Sequence, residues 1–140
     1  MAGHRDREVQ IFLYRPDPRG LEVLMFHRSP DAGGYWHTVA GAVEAGEADL
    51  DAAAREVLEE TGFDARGRIR ELNHEYDYRT VTGRSFAVEA PAGWVPQLNE
   101  EHDGCRWCGV DEVSLLHWAE TAKALLVLAH ILNGNLSEGR

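Results

Sequence analysis

Hydrophobic and polar residues alternate over several short stretches of this chain, which is the pattern of half-buried β-strands. The extended segments predicted in this way are Glu8–Tyr14, Leu21–Phe26, Trp36–Ala40, Arg68–Tyr78, Arg84–Glu89 and Arg106–Val110. The turn-rich sequence RPDPRG joins the first two, and we expect residues 68–78 and 84–89 to pair across TVTG. A long loop, PAGWVPQLNEEHDG, leads toward the last strand.

Two further stretches have the apolar spacing of helices. One is a Glu-rich stretch that ends at Gly62, a residue suited to a left-handed helix cap. The other covers about Ala119–Leu132 and is expected to stop at NGN. Because strands and helices interleave, the predicted fold class is α/β, or α+β, in a single domain over residues 1–140. Residues 1–7 and 135–140 are expected to fray.

The Glu-rich helix has two distinct faces. The residues expected to pack on the sheet are Leu50, Ala53, Ala54, Val57, Leu58 and Thr61. Glu56, Glu59 and Glu60 fall on the opposite face, where each like-charged pair costs about 0.2–0.5 kcal/mol. Arg55 can pair with Glu59, which leaves two carboxylates uncompensated.

This cluster of carboxylates has two interpretations. A solvated acidic face is the ordinary one for a helix with several Glu residues. The alternative is a site for Mg²⁺ or Mn²⁺, because these hard cations bind through a few carboxylates, waters and substrate phosphates. Gly41 and Gly46 allow tight turns that bring Glu47 beside the same face, which favours the metal interpretation.

Composition narrows the classes of function. With 140 residues, 44% hydrophobic and 27% charged, the chain is expected to be globular and soluble. A net charge of −10 argues against nucleic acid as a partner, and an anionic substrate would need a local cation. The longest apolar stretch, Ala124–Ala129, is too short to cross a membrane, and no signal-peptide pattern opens the chain. Cysteine usage does not suggest a disulfide scaffold, so a cytoplasmic location is expected.

The residues from Gly41 to Phe63 carry a more specific signal in their spacing. They read Gly, five residues, Glu, seven residues, Arg-Glu, apolar, any, Glu-Glu, any, Gly, apolar. The residues in the specified positions are Gly41, Glu47, Arg55, Glu56, Val57, Glu59, Glu60, Gly62 and Phe63. This stretch resembles the Nudix box, and the order of strands around it resembles a Nudix domain over most of the chain.

The resemblance implies a fold and a chemistry. The fold would be an α/β/α sandwich around a mixed sheet, with a loop-helix-loop catalytic motif. The reaction would be metal-dependent hydrolysis of a nucleoside diphosphate linked to a group X, with Mg²⁺ as cofactor and Mn²⁺ as a substitute. The implied metal ligands are Glu56, Glu60, Glu59, Glu47 and the carbonyl of Gly41. Glu59 would alternatively activate water, and Arg55 would orient the carboxylates.

Residues outside the box resemble two branches of the family. EEHDGCRW, which contains Glu101, His102 and Trp107, resembles the dATP and dihydroneopterin triphosphate pyrophosphohydrolases. That resemblance implies release of pyrophosphate from a nucleoside triphosphate-like substrate, and makes Glu101 a candidate metal ligand or general base. Tyr78 lies where dinucleoside polyphosphate hydrolases often carry a tyrosine. A catalytically silent nucleotide-binding domain is a third alternative, although the intact box argues against it.

Several other residues are candidates for contact with a nucleotide-like substrate. Arg28 would bind phosphate, with a surface salt bridge as the alternative. Tyr35, Trp36 and Trp94 would stack on a base, with core packing as the alternative. The sequence leaves the assembly open, a homodimer included.

The two cysteines form a C-x-x-C pattern. Cys105 and Cys108 lie three apart in a predicted strand, so their thiols should point to opposite faces. A metal or redox role is therefore not expected for them.

Overall fold

The computed structural model describes the backbone of residues 6–138 and the side chains of residues 6–132. The strands are β1 (Asp6–Asp17), β2 (Gly20–Arg28), β3 (Trp36–His37), β4 (Val39–Ala42), β5 (Arg70–Tyr78), β6 (Val81–Glu89) and β7 (His102–Gly109). The α-helices are α1 (Asp49–Thr61) and α2 (Ala119–Glu138), and short 3-10 helices cover Pro30–Ala32 and Val110–Leu115. In this described part of the chain, no helix combines the length and apolarity needed to cross a membrane.

All these strands belong to one mixed sheet, as predicted. Strand β1 pairs antiparallel with β2 and β4, and parallel with β6. Strand β2 also pairs with β3 and β7, and β5 pairs with β6 at the other edge. The register of β1 sets Glu8 beside Ala42 at the end of β4, and the neighbouring Arg7 forms an ion pair with Asp49 at the start of α1.

Two apolar layers cover the two faces of the sheet. Along β1, Ile11 packs in the same layer as Val57 of α1, whereas Phe12 packs in the same layer as Leu125 of α2. This alternation follows from the two-residue repeat of side chains along a strand. The predicted α/β/α arrangement is therefore confirmed.

Helix α1 is rotated about its axis relative to the orientation predicted from the sequence. Leu50 and Leu58 are 51% and 50% exposed, whereas Glu56 and Glu60 are buried. The prediction that Leu50 and Leu58 pack on the sheet is therefore wrong, whereas Ala53, Val57 and Thr61 are buried as predicted. Ala52 is fully buried in the contact with the sheet, and its small side chain lets the helix backbone approach closely.

The hairpin formed by β5 and β6 pairs as predicted, but its turn lies elsewhere. Tyr78 pairs with Val81, so the connection is Arg79-Thr80 rather than TVTG. Gly83 lies within β6 opposite Tyr76, and a Cβ on this glycine would collide with the tyrosine ring. The glycine makes room for an aromatic side chain and does not form the turn.

The ends of the elements also differ from the prediction. Asp6 and Arg7 pair with β6, and residues 1–5, for which fraying is also predicted, lie outside the described part. Helix α2 continues through NGN to Glu138, because Gly and Asn weaken a helix without ending it. The predicted stop at NGN is therefore wrong, and residues 139–140 are not described. Strand β7 begins earlier than predicted, at His102, because the whole segment pairs with β2.

The C-terminus of α1 yields a stability prediction. Gly62 has φ of 78°, and its N–H donates to the carbonyl of Leu58. Replacing Gly62 by Ala places a Cβ in the left-handed region, so we expect a loss of about 1 kcal/mol in the free energy of unfolding. Thermal unfolding should show a melting temperature lower by about 3 °C. Gly104→Ala is the control, because a Cβ there meets no atom within 4 Å and needs no left-handed backbone; equal melting of the two variants would contradict the prediction.

Candidate active site

Arg55 on helix α1 organises the acidic residues around it. Its guanidinium binds Glu47 in a bidentate manner, with Nε 2.9 Å from Oε2 and Nη2 3.0 Å from Oε1. Its Nη1 donates to Glu56 Oε1 at 2.9 Å and lies 3.4 Å from Glu59. Its Nη2 also donates to the carbonyl of Ala42, at 2.9 Å. One cation therefore holds three of the predicted site carboxylates against the end of β4.

The turn before α1 places Glu47 for this contact. Gly46 adopts φ of 78°, and the N–H of Glu44 donates to Glu47 Oε1 at 3.0 Å. Hydrogen bonds from Arg55 lower the pKa of Glu47 to about 2. The same contact raises the pKa of Arg55 above its usual range. The pair therefore stays charged, and Glu47 serves first as the anchor of Arg55 in this structure.

Glu60 has a different environment from the other carboxylates. It is 2% exposed, and neither carboxylate oxygen has a hydrogen-bond partner of normal geometry among the described residues. Burial raises the pKa of Glu60 well above its usual range, and the neighbouring Glu56 raises it further. Burial likewise raises the pKa of Glu56, against the lowering effect of Arg55. Two adjacent buried carboxylates are costly for folding unless a cation or protons compensate them.

Gly41 makes room for this pair. A Cβ on Gly41 would collide with the carboxyl group of Glu56. The glycine in the predicted motif is therefore required by a close approach between β4 and α1, and its φ is not in the left-handed region.

A buried pair of histidines adjoins Glu60. His37 Nε2 and His102 Nε2 are 2.8 Å apart, and His102 Nε2 is 3.7 Å from Glu60 Oε1. Burial is the main cause that lowers the pKa of both imidazoles, to about 3 for His37. No sequence pattern marked His37 as a site residue, and His102 was noted only as part of a family pattern.

Glu101 lies beside this group, at the end of the loop before β7. Its side chain is exposed, and its carbonyl accepts a hydrogen bond from the N–H of Ser29 at 3.0 Å. Its carboxylate is near enough to contribute to the raised pKa of Glu60. The structure therefore brings Glu101 to the same site as the helix carboxylates.

A cavity of about 590 Å³ is lined in part by Gly41, the glycine that makes room for the Glu56 carboxyl, but not by the predicted site carboxylates themselves. Its lining also includes His37, Arg28 at the end of β2, and Tyr35 from the segment that follows. The Nε of Arg28 donates to the carbonyl of Ala32 at 2.8 Å, which directs the guanidinium from the strand end. The volume is in the ordinary range for a small-molecule site.

Aromatic side chains form one wall of this cavity. Tyr35 stacks on His117, with ring centroids 4.7 Å apart and planes 22° apart. Trp118 meets Tyr35 edge-on at 5.7 Å and lies 6.4 Å from Tyr78. Trp118 is 44% exposed although it is large and apolar, and it lines the cavity together with Tyr35 and Tyr78. Sequence reasoning missed Trp118, whose only signal was its place just before α2.

The cavity has a buried polar floor. Gln10 is 2% exposed, and its Nε2 donates to Ser85 Oγ at 2.8 Å. The hydroxyl of Thr121 donates to Gln10 Oε1 at 2.9 Å. Satisfied buried groups of this kind fix the shape of a site. Nothing in the sequence pattern marked these residues.

The sequence of this chain matches the NUDIX domain family model over residues 4–128. The chain belongs to the Nudix family. The stretch that resembles the family motif forms helix α1 and the loop before it, and it includes Arg55, Glu56 and Glu60.

Known proteins similar to this Nudix protein differ in function. It is 35% identical over 121 residues to the asymmetrical bis(5'-nucleosyl)-tetraphosphatase of Rattus norvegicus, which covers 81% of this chain and 82% of the rat protein. It is 33% identical over 112 residues, or 74% of this chain, to octanoyltransferase of Myxococcus xanthus, and the match spans only 31% of that protein. A NUDIX hydrolase structure from Listeria monocytogenes has a TM-score of 0.80 at 24% identity, covering 91% of this chain and 94% of that one. That structural likeness shows the fold.

Nudix proteins generally use a divalent metal, and the residues of this Nudix protein fit one. The buried oxygens of Glu60 lack partners of normal geometry, and Glu56 lies beside them in the space left by Gly41. Oxygen donors of this kind suit Mg²⁺. In the described part of the chain, no three His, Cys, Asp or Glu side chains already form a ligand cluster, and Arg55 contacts several of the candidate carboxylates.

Some of the predicted substrate contacts do not lie at the cavity. Trp36 packs in the α2-side core, with its ring 5.0 Å from that of His27, because it points to the opposite face from His37. Trp94 packs against Phe63, with ring centroids 5.6 Å apart. The structure therefore places both tryptophans in packing positions outside the lining of this cavity.

The two thiols diverge as predicted. Cys105 packs against the α1-side core, and Cys108 is buried in the α2-side core. Burial raises the pKa of both thiols.

His37 yields a prediction on pH and stability. Burial, followed by the effects of His102, Arg28 and His27, lowers the pKa of His37 to about 3 from 6.5. The folded protein keeps His37 neutral, whereas the unfolded chain takes up a proton below its pKa of 6.5. The free energy of unfolding therefore decreases as the pH falls from 6.5 toward 3, by up to about 1.4 kcal/mol per pH unit.

The measurement is urea unfolding of metal-free wild type and His37→Gln at several pH values between 7 and 5. The variant keeps a neutral polar side chain and lacks the titrating group, so its stability relative to wild type should rise as the pH falls. A difference between the two proteins that does not change with pH would contradict the prediction.

Proposed function

We propose that this Nudix protein hydrolyses a phosphoanhydride bond of a nucleoside polyphosphate with the help of Mg²⁺ or Mn²⁺. The observation that carries the proposal is the buried pair of Glu56 and Glu60, with Glu56 packed against Gly41, a residue that lines an aromatic-walled cavity. Two leucines on the same helix remain half exposed while these carboxylates are buried, which runs against the hydrophobic effect. Such an arrangement is typical of a functional site.

Each residue has a role in the proposed reaction. Glu56 and Glu60 would hold the cation, which supplies positive charge to the phosphoryl oxygens and makes bound water more acidic. Arg55 keeps Glu56 and Glu59 in place through its contacts. Glu59, which is exposed, and Glu101 across from it are the candidates for accepting a proton from the attacking water.

The cavity would hold the rest of the substrate. Arg28 lines it and would bind phosphate oxygens as a charged hydrogen-bond donor. Trp118 and Tyr78 would offer their ring faces to a nucleobase, since exposed aromatic groups in a cavity stack well on flat rings.

A dinucleoside polyphosphate is the first substrate to test. The rat relative is named for that substrate class and matches most of both chains. Tyr78, the residue that resembled this branch in sequence, lines the cavity. A nucleoside triphosphate is the second candidate, because Glu101 belongs to the pattern of that other branch and lies near Glu60.

Product analysis separates the two substrates. With diadenosine tetraphosphate, we expect two mononucleotides and no pyrophosphate; a triphosphate substrate would instead give a monophosphate plus pyrophosphate. Both substrates are offered with saturating Mg²⁺ and then Mn²⁺, and the products are resolved by anion-exchange chromatography. Nucleotide binding without turnover of either substrate would contradict the proposed hydrolysis and favour a silent nucleotide-binding domain.

A melting experiment tests the metal site independently of turnover. The cation binds the folded site better than the unfolded chain, so Mg²⁺ or Mn²⁺ should raise the melting temperature of the wild type. The gain in the free energy of unfolding should approach about 2.7 kcal/mol when the metal concentration is about 100 times the dissociation constant. The double variant Glu56→Gln/Glu60→Gln should lose most of this gain, and its metal-free stability should equal or exceed that of wild type because the buried charges are gone.

The matched control is Glu75→Gln/Asp111→Asn. It removes the same formal charge from two exposed positions away from the cavity. We expect it to retain the full metal-dependent rise. If the melting temperatures of all three proteins rise in parallel with metal concentration, the cation acts by general screening of a protein with net charge −10, and the assigned metal site is wrong.

A further inference from the structure

His102 is a buried polar residue to which the proposed reaction gives no role. Its side chain is fully buried, and its Nε2 lies 3.7 Å from Glu60 Oε1. Its Nδ1 has no hydrogen-bond partner among the described residues. A fully buried imidazole of this kind requires a physical reason, because an apolar side chain of the same size would cost less to bury.

The sheet holds this imidazole in a fixed place. His102 is the first residue of β7 and pairs with Arg28 of β2. Its ring packs against that of Phe26, with centroids 5.2 Å apart, and against that of His37 at 5.0 Å. Both histidines therefore project from strands of one sheet, and their position does not depend on a loop.

The hydrogen bond within the pair restricts its proton positions. With the two Nε2 atoms 2.8 Å apart, one must donate an N–H and the other must accept with a lone pair. Glu60 Oε1 lies near His102 Nε2, and an N–H next to a carboxylate oxygen is attractive whereas a lone pair there is repulsive. The tautomer with the Nε2 proton on His102 is therefore favoured: this N–H donates to His37 Nε2 and attracts Glu60 Oε1 electrostatically from 3.7 Å, without a hydrogen bond to it.

We propose that His102, supported by His37, is a positioning residue that orients the Glu60 carboxylate for metal binding. This inference rests on the proposed function, because it assigns the histidines to the metal site described there. Polar groups behind a metal-binding carboxylate commonly orient it, and loss of such a group typically weakens metal affinity about 10–100-fold. The histidine pair is rigid and polar and lies directly beside a carboxylate without normal hydrogen bonds.

The test is Mn²⁺ binding to the complete protein, measured by titration calorimetry without substrate. His102→Leu keeps the approximate volume but removes both ring nitrogens, so its affinity should fall at least about tenfold. His102→Gln keeps a polar group at the ε position and should recover most of the affinity, to within about threefold of wild type. His37→Leu and His37→Gln should show the same order with smaller effects, since His37 acts through His102.

Two controls separate positioning from other effects. His130→Leu changes an exposed histidine on α2 and should leave Mn²⁺ affinity unchanged. His102 adjoins Glu101 in the chain, so His102→Leu is also made in a Glu101→Gln background. The loss should persist there if the histidine acts on Glu60, and should vanish if it acts only by displacing Glu101.

The outcomes distinguish this inference from the proposed function. Absence of Mn²⁺ binding by wild type would overturn the proposed metal site and this inference with it. Normal binding by both Leu variants, or equal losses in the Leu and Gln variants, would overturn only the inference. If His102→Leu does not fold, the comparison of His37→Leu with His37→Gln decides in the same way.

Discussion

The burial of two neighbouring carboxylates under helix α1 is the constraint on which the rest of the site depends. Glu60 is 2% exposed beside Glu56, in a setting where charge is costly. The helix keeps this orientation although Leu50 and Leu58 remain half exposed as a result. The fold therefore gives up apolar burial in order to place acidic groups against the sheet, and a cation would recover part of that loss.

The surrounding residues can be understood as responses to this constraint. Gly41 lacks the Cβ that would collide with Glu56, so strand β4 can approach the helix. Arg55 compensates the charge on one side and is itself held by Glu47 and by the carbonyl of Ala42. On the other side lie the imidazoles of His37 and His102, whose pKa values are lowered mainly by burial. Among the described residues, neither oxygen of Glu60 has a hydrogen-bond partner of normal geometry.

The position of the cavity follows from the topology of the sheet. Strand β1 pairs with both β2 and β4, so the end of β2, with Arg28, and the end of β4, with Gly41, lie on one rim. The start of α2 adds Trp118 opposite them. Arg28, Gly41 and the aromatic side chains of Tyr35, Tyr78 and Trp118 consequently line one cavity. This arrangement matches a substrate with a charged chain and a flat base.

The sequence by itself determined the strands and helices, the mixed fold class, the family motif and the choice of Glu47, Arg55, Glu56 and Glu60 as site residues. Those features depend on local periodicity and on fixed spacing along the chain, both of which can be read without knowing any contact. Only the tertiary structure decided the rotation of α1, the packing role of Trp36, and the arrival of His37, Trp118 and Gln10 at the cavity. These outcomes depend on which strand lies beside which helix. Hydrophobic periodicity predicts which face of a helix is buried only when apolar burial alone sets the orientation of the helix. In α1 the orientation is set by the close approach at Gly41 and by the buried carboxylates.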